Sequence, residues 1–188
     1  MLFEQEVRIP LDRVGVLLGK EGSVKNQIEK LCDVKLEVDG KNGDVKIICK
    51  KNIEKADPFK AVEIVKAIGR GFSPDRALKL LNEDHTLEII DLREYAGKSE
   101  DSLFRIKGRI IGLKGKARRV IEELTDVEIA VYGHTVSIIG NLEGVRMANE
   151  AVRMLAIGKS HNSVYNMLQK YRAKAKLEKY KLWEREYD

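Results

Sequence analysis

The tetrapeptide Gly19-Lys20-Glu21-Gly22 has a counterpart 93 residues further on, Gly112-Leu113-Lys114-Gly115, and that spacing divides the chain into two copies of one small module. At the same offset, residues 15–40 and 108–133 agree at ten of 26 positions, including Gly15, Ile28, Glu29, Leu31, Asp33 and Gly40 of the first copy. A glycine lacks the Cβ that would hold another backbone or a phosphate at a distance, and it reaches positive φ without strain. A glycine pair that opens a helix therefore presents free N–H groups and a favourable dipole to an anion. The signal is specific because it recurs in register, follows a pair of aliphatic residues each time (Leu17-Leu18, Ile110-Ile111), and opens a helix each time.

Periodicity fills in each copy. Glu4–Ile9 alternates as a strand, with Val7 and Ile9 facing in, and Pro10 closes it. Asp12 caps a short helix to Leu18, and Ser23 caps a second whose apolar stripe is Val24, Ile28 and Leu31. Val34–Val38 and Val45–Cys49 form a hairpin across Gly40–Asp44, and a helix runs from Pro58 to Ile68. The second copy repeats the order: strand Thr86–Leu92, a helix ending near Ile111, a helix striped by Ala117, Ile121 and Leu124, hairpin strands Val127–Val131 and Val136–Ile139, and a helix Leu142–Ile157. About ten extra residues, Arg93–Ser102, precede its loop. A short helix, Arg76–Leu81, links the copies. These patterns give an α+β chain of strand-helix-helix-strand-strand-helix modules, divided as residues 1–84, 85–159 and a basic helical tail 160–188.

The chain resembles the KH-domain family of type I. The resemblance is carried by Val14-Gly15-Val16-Leu17-Leu18-Gly19-Lys20-Glu21-Gly22 and Gly108-Arg109-Ile110-Ile111-Gly112-Leu113-Lys114-Gly115, and it covers about residues 4–72 and 86–158. It implies two three-stranded sheets backed by helices, each with a groove that clamps about four nucleotides of single-stranded RNA. It places Gly112, Leu113, Lys114 and Gly115 against backbone phosphates, and Ile110, Ile111, Ile121 and Ile129 under the bases. Arg118 and Arg119 would face the flanking phosphates. The pair of modules, the insertion and the Gly158-Lys159-Ser160 junction resemble, more narrowly, the archaeal ribosomal-RNA-processing KH proteins, counterparts of the eukaryotic partner-of-Nob small-subunit assembly factor. That implies binding to the 3′ region of small-subunit ribosomal RNA, with a Nob-type endonuclease and other assembly or translation factors as partners.

Charge separates the copies. The net charge of +5 is spread thinly, about +1 in residues 1–85, +1 in 86–160 and +3 in 161–188. Yet between Ser102 and Ile121 lie Arg105, Lys107, Arg109, Lys114, Lys116, Arg118 and Arg119 with no acid, a footprint for a polyanion. Glu21, by contrast, sets a carboxylate in the first loop, beside Lys20 and between Gly19 and Gly22. The second module is thus expected to be the main clamp, while the first binds weakly, extends the site or serves a protein partner. In the tail, Val164, Met167, Leu168 and Tyr171 form a stripe that docks on a module. Beyond Arg172 the tail is Lys-rich, with Tyr180, Leu182, Trp183 and Tyr187, and reads as an RNA or protein contact or as a frayed terminus.

Other chemistries find no footing. Gly158-Lys159-Ser160 and Gly97-Lys98-Ser99 lack the glycine a phosphate-binding loop needs five residues upstream, where Arg153 and Leu92 stand. His85, His134 and His161 pair with no Cys or His at metal-ligand spacing, and no catalytic set converges, so neither a cofactor nor a metal nor an enzyme activity is expected. Cys32 and Cys49 lack a partner pattern, and no apolar run of about 18 residues or export signal occurs, which suits a cytoplasmic protein. No heptad repeat argues for an oligomer, so a monomer is expected. A general KH regulator of other RNAs and a KH-fold protein scaffold are the alternative functions.

Overall fold

A computed structural model describes residues 3–49 and 56–185, and the side chains of 182–185 lie outside the description. The chain forms two units, residues Met1–Leu87 and Glu88–Asp188.

In the first unit, β1 (Phe3–Arg8), β2 (Lys35–Val38) and β3 (Asp44–Cys49) form an antiparallel sheet in the order β1-β3-β2. The period-two pattern sets its faces: Val7 lies opposite Val45 and Leu36 opposite Ile47, all buried, while Glu4, Glu6 and Lys46 face out. Helices α1 (Leu11–Leu18), α2 (Ser23–Cys32) and α3 (Pro58–Gly69) complete the module, and α4 (Pro74–Ala77) with the turn Leu78–Leu81 follows. Asp57 caps α3 by accepting the Lys60 N–H at 2.9 Å, with Pro58 in the first helical position.

The second unit repeats this plan with β4 (His85–Asp91), β5 (Glu128–Tyr132) and β6 (Thr135–Asn141) in the order β4-β6-β5. The insertion folds as α5 (Arg93–Ala96) and the first turn of α6 (Glu100–Ile111), which Ser99 caps through the Ser102 N–H. Helices α7 (Lys116–Thr125) and α8 (Leu142–Ala156) follow, Asn141 capping α8 through the Gly144 N–H at 2.7 Å. The last helix, α9 (His161–Arg185), packs against α7 and α8 through Val164 and Leu168, which are fully buried. The expected strand-helix-helix-strand-strand-helix order is thus present in both units.

Three local expectations need correction. Asp12 does not cap α1: the helix begins at Leu11 after Pro10, which puts Asp12 in the first turn. Ser23 is likewise the first residue of α2 rather than its cap, because Gly22 occupies the cap in a left-handed conformation. Leu31 is 52% exposed, since the inner face of α2 runs through Ile28 and Cys32. Its counterpart Leu124 is half-buried, because α9 lies along α7. Leu182, Trp183 and Tyr187 of the tail fall outside the described side chains.

Candidate nucleic-acid interface

Both glycine loops adopt one backbone conformation. Gly19, Glu21 and Gly22 have φ of 71, 53 and 78°, and Gly112, Lys114 and Gly115 have 72, 50 and 75°. The two glycines of each loop serve different ends. A Cβ on Gly112 would stand 2.6 Å from the Ala117 Cβ and 2.7 Å from its nitrogen, and one on Gly19 would stand 2.5 Å from Val24 Cγ2, so the first glycine lets the loop press onto the helix it opens. A Cβ on Gly22 or Gly115 would meet nothing closer than 3.8 Å, so only the positive φ holds the second glycine. No side chain caps α2 or α7; instead the Ser23 and Lys116 N–H groups that begin them donate to the Lys20 and Leu113 carbonyls of their own loops.

The helix leading into each loop carries a further glycine, Gly15 in α1 and Gly108 in α6. A mid-helix glycine costs about 0.5–1 kcal/mol relative to alanine. Here the fold gives no reason for it, since a Cβ at either position would meet nothing within 4 Å. Each lies at the centre of an outward stripe spaced i, i+4, i+7: Leu11, Gly15 and Leu18 in the first copy, Phe104, Gly108 and Ile111 in the second. Leu11 is 58% exposed and Phe104 79%. Bare backbone between exposed apolar groups suits a flat ligand approaching closely. Neither Phe104 nor the bare face of Gly108 was singled out by sequence periodicity, because both lie off the buried stripe that periodicity detects.

The expected site residues divide into three groups. Leu113, Lys114, Lys116 and Arg119 are exposed around the second loop, and Arg119 folds back to donate to the Lys114 carbonyl at 3.3 Å. Ile110, Ile121 and Ile129 have no accessible surface and belong to the core of the second unit, so they support the floor from beneath, while half-buried Ile111 alone of the four reaches the surface. Arg109 is engaged within the protein, whereas Arg118 makes a long ion pair and keeps a buried Nε without a hydrogen-bond partner. The Arg109 guanidinium donates to the Leu155 carbonyl at 3.1 Å and to the Lys159 carbonyl, closing the C-terminal end of α8, where a cation also meets the helix dipole favourably. Arg13 does the same for α3 through the Ile68 and Phe72 carbonyls, from a position one helical turn earlier in the repeat. Arg118 lies 3.9 Å from Glu122, whose other oxygen accepts the Ile129 N–H at 2.8 Å on the free edge of β5. The first copy repeats this with Glu29 and the Leu36 N–H.

Arg109→Ala therefore tests a structural role: a loss of about 1–2 kcal/mol of stability is expected for a charged side chain that bonds two carbonyls, read by urea denaturation, with RNA affinity little changed. An affinity loss without a stability loss would return Arg109 to the RNA surface.

No cluster of metal-ligating side chains occurs among the described residues, and no described helix is long and apolar enough to cross a membrane. Cys32 and Cys49 are buried, and burial pushes the Cys32 thiol up to about 11, which keeps it protonated and unreactive at neutral pH.

Comparison with known proteins agrees with this geometry. A model of the second KH domain of PNO1, described as a eukaryotic type KH-domain (KH-domain type I), matches residues 86–173, and a KH-domain model matches residues 4–57. A KH domain-containing protein of Methanocaldococcus jannaschii is 48% identical over 183 residues, covering 97% of this chain and 80% of that protein. A chain of the crystal structure of an a/eIF2alpha–aDim2p–rRNA complex from Pyrococcus horikoshii superposes with a TM-score of 0.86 at 44% identity, covering 92% of this chain and 96% of that one. The pre-rRNA-processing protein PNO1 of Chaetomium thermophilum is 36% identical over 111 residues, covering 57% of this chain and 42% of that protein, so the chain spans less than half of that longer relative.

Proposed function

The chain belongs to the family of tandem KH ribosomal-RNA-processing proteins that includes archaeal Dim2p and eukaryotic PNO1, and from this premise we propose that it binds single-stranded RNA of the 3′ region of small-subunit ribosomal RNA, chiefly through its second module. One observation carries the assignment to the second module. The two loops share a backbone conformation, but Lys114 occupies the left-handed position where the first loop has Glu21. The site is thus built twice and charged for phosphate once.

In this reading Gly112–Gly115 and the positive end of the α7 dipole take phosphates, Lys114, Lys116 and Arg119 neutralise them, and Ile111 meets a base. The protein holds the RNA for a separate Nob-type endonuclease and cuts nothing itself. It acts in the cytoplasm as a monomer built of a first module, 1–84, a second, 85–159, and a basic helical tail, 160–188. Fluorescence anisotropy with a labelled oligomer from the 3′ end of small-subunit ribosomal RNA, against a scrambled oligomer at fixed salt, tests the assignment. Selective binding is expected; equal binding of both would leave a clamp with another target.

The asymmetry makes its own prediction. In a chain whose second loop has been disabled, Glu21→Lys should raise residual RNA affinity by about 30-fold, the worth of roughly 2 kcal/mol for moving the local charge by two units beside a phosphate. The left-handed geometry already accommodates Lys at the equivalent position, so the substitution adds no backbone strain. No gain would mean that the first module serves a partner other than RNA.

A further inference from the structure

The insertion that distinguishes the second module borders a half-open cleft of about 480 Å³, lined by Arg93, Gly97, Lys98 and Ser99 of the insertion, Lys107 of α6, and Gly133 and His134 of the hairpin turn, with Glu100 and Leu103 completing it. That volume lies within the range of about 300–1,000 Å³ for pockets that hold small organic groups. Three cations and a histidine face one acid there. Two of the cations help to build the wall: Arg93 is bound by both oxygens of Asp91, and the Lys107 ammonium donates to the Gly133 carbonyl at 2.8 Å. The Arg93 guanidinium holds the Asp91 carboxyl down at about 2, so this pair stays charged at any working pH. Lys98, exposed at the rim, is the cation left to meet a ligand. The first module lacks the insertion that lines this cleft. A cleft along its sheet is lined by four acids, Glu6, Glu37, Asp39 and Asp44, with Lys46 as the cation of that lining.

The cleft of the second module borders the open face of α6. At about 100° per residue, Phe104, Gly108 and Ile111 lie within about 60° of one another, and the cleft-lining Glu100 and Lys107 fall beside them. From Gly112 back to Phe104 is eight residues, about 12 Å along the helix. An exposed phenylalanine, a glycine without need in the fold and a cationic cleft thus form one track that begins at the loop.

We propose that this track is an RNA subsite beyond the loop clamp, in which Phe104 stacks on a base and the cleft takes the adjoining phosphate with Lys98 as its cation. It rests on the reading of the second loop as an RNA clamp and lengthens the bound tract by one or two nucleotides. The subsite is sequence-tolerant, because every base has a face to stack and every nucleotide a phosphate.

The test uses the full chain and an RNA from the 3′ region of small-subunit ribosomal RNA. Its tightest-binding tetramer is compared with the same tetramer carrying three further nucleotides on each side. The wild type should bind the longer RNA better. Phe104→Ala should remove about tenfold from binding of the longer RNA. Lys98→Glu should weaken it about fivefold and lower the salt slope by about 0.7, the contribution of one single-strand phosphate contact, while Lys98→Arg restores it. Neither Phe104→Ala nor Lys98→Glu should alter binding of the tetramer. Both residues are exposed, and unchanged thermal melts check that the fold persists. Equal wild-type affinity for the two lengths, or equal losses on both, would overturn the subsite and leave the clamp standing. Failure of the wild type to bind either RNA overturns the clamp and the subsite together.

Discussion

A chain carrying Leu113→Asp together with Lys114→Asp should lose about 100-fold in affinity for RNA of the small-subunit 3′ region. The two side chains lie in the middle of the second loop, where Leu113 is 84% exposed and Lys114 is exposed too. Neither packs in the core, so the double substitution removes nothing that holds the module together. Lys114 sits at φ 50°, ψ 31°, and aspartate is among the residues that tolerate this left-handed region best. The local charge moves from +1 to −2, and each unit of charge about 4 Å from a phosphate is worth roughly 1 kcal/mol in water-like surroundings. Three such units give about 3 kcal/mol, and 1.4 kcal/mol is a factor of ten. Anisotropy titration at fixed salt reads the loss, and circular dichroism confirms the fold. Retained affinity would remove the loop from the interface, and retained binding of a protein partner alone would favour a scaffold.

The same substitutions in the first loop, at Lys20 and Glu21, should cost far less. That loop already holds a carboxylate at the position where the second places its ammonium. The two loops thus share one backbone conformation and differ in the charge they carry at its left-handed position.

What the sequence disclosed, and what it concealed, follows the range of the interactions involved. The glycine pairs, the buried alternation through Val7, Val45 and Leu36, and the order of elements depend on local spacing, and all were legible. The fate of the cations was not. Seven positive residues without an acid read as one polyanion surface, yet Arg109 is spent on the end of α8, 46 and 50 residues away. Lys107 is held by the hairpin turn 26 residues away. Composition cannot tell a cation that meets a ligand from one that satisfies the protein's own carbonyls. The isoleucines show the same limit: Ile110, Ile121 and Ile129 share a helical and strand period with any core residue, and the core is where they are. The open stripe of Phe104 and Gly108 escaped because hydrophobic periodicity seeks residues that are buried together, whereas a ligand surface needs apolar groups left exposed.

Leu168→Ala should destabilise the protein by about 2–4 kcal/mol, the cost of emptying a fully buried leucine site. The tail had the look of an appendage, Lys-rich and extending past the last expected strand and helix. Its first half docks on the second module, as the stripe through Val164 and Leu168 predicts, and forms a wall of its core: both residues have no accessible surface, His161 Nε2 lies 2.8 Å from the Arg109 carbonyl, and Arg172 donates to the Glu123 carbonyl near the end of α7. The match to the second KH domain of PNO1 extends to residue 173, through this half of α9. Leu177, on the same helix but 56% exposed, is the matched control, and its truncation to alanine should cost less than about 0.5 kcal/mol. Urea denaturation followed by circular dichroism measures both, and hydrogen exchange should show the lost protection in α7 and α8. The functional consequence follows from the geometry of the loop. The first turn of α7 carries Ala117, against which Gly112 presses, and its Lys116 N–H donates to the Leu113 carbonyl of the loop. Loosening α9 loosens the helix on which the clamp is mounted, so Leu168→Ala should weaken RNA binding although it lies outside the expected site. An unchanged affinity alongside the full stability loss would mean that the loop keeps its shape without the support of α9.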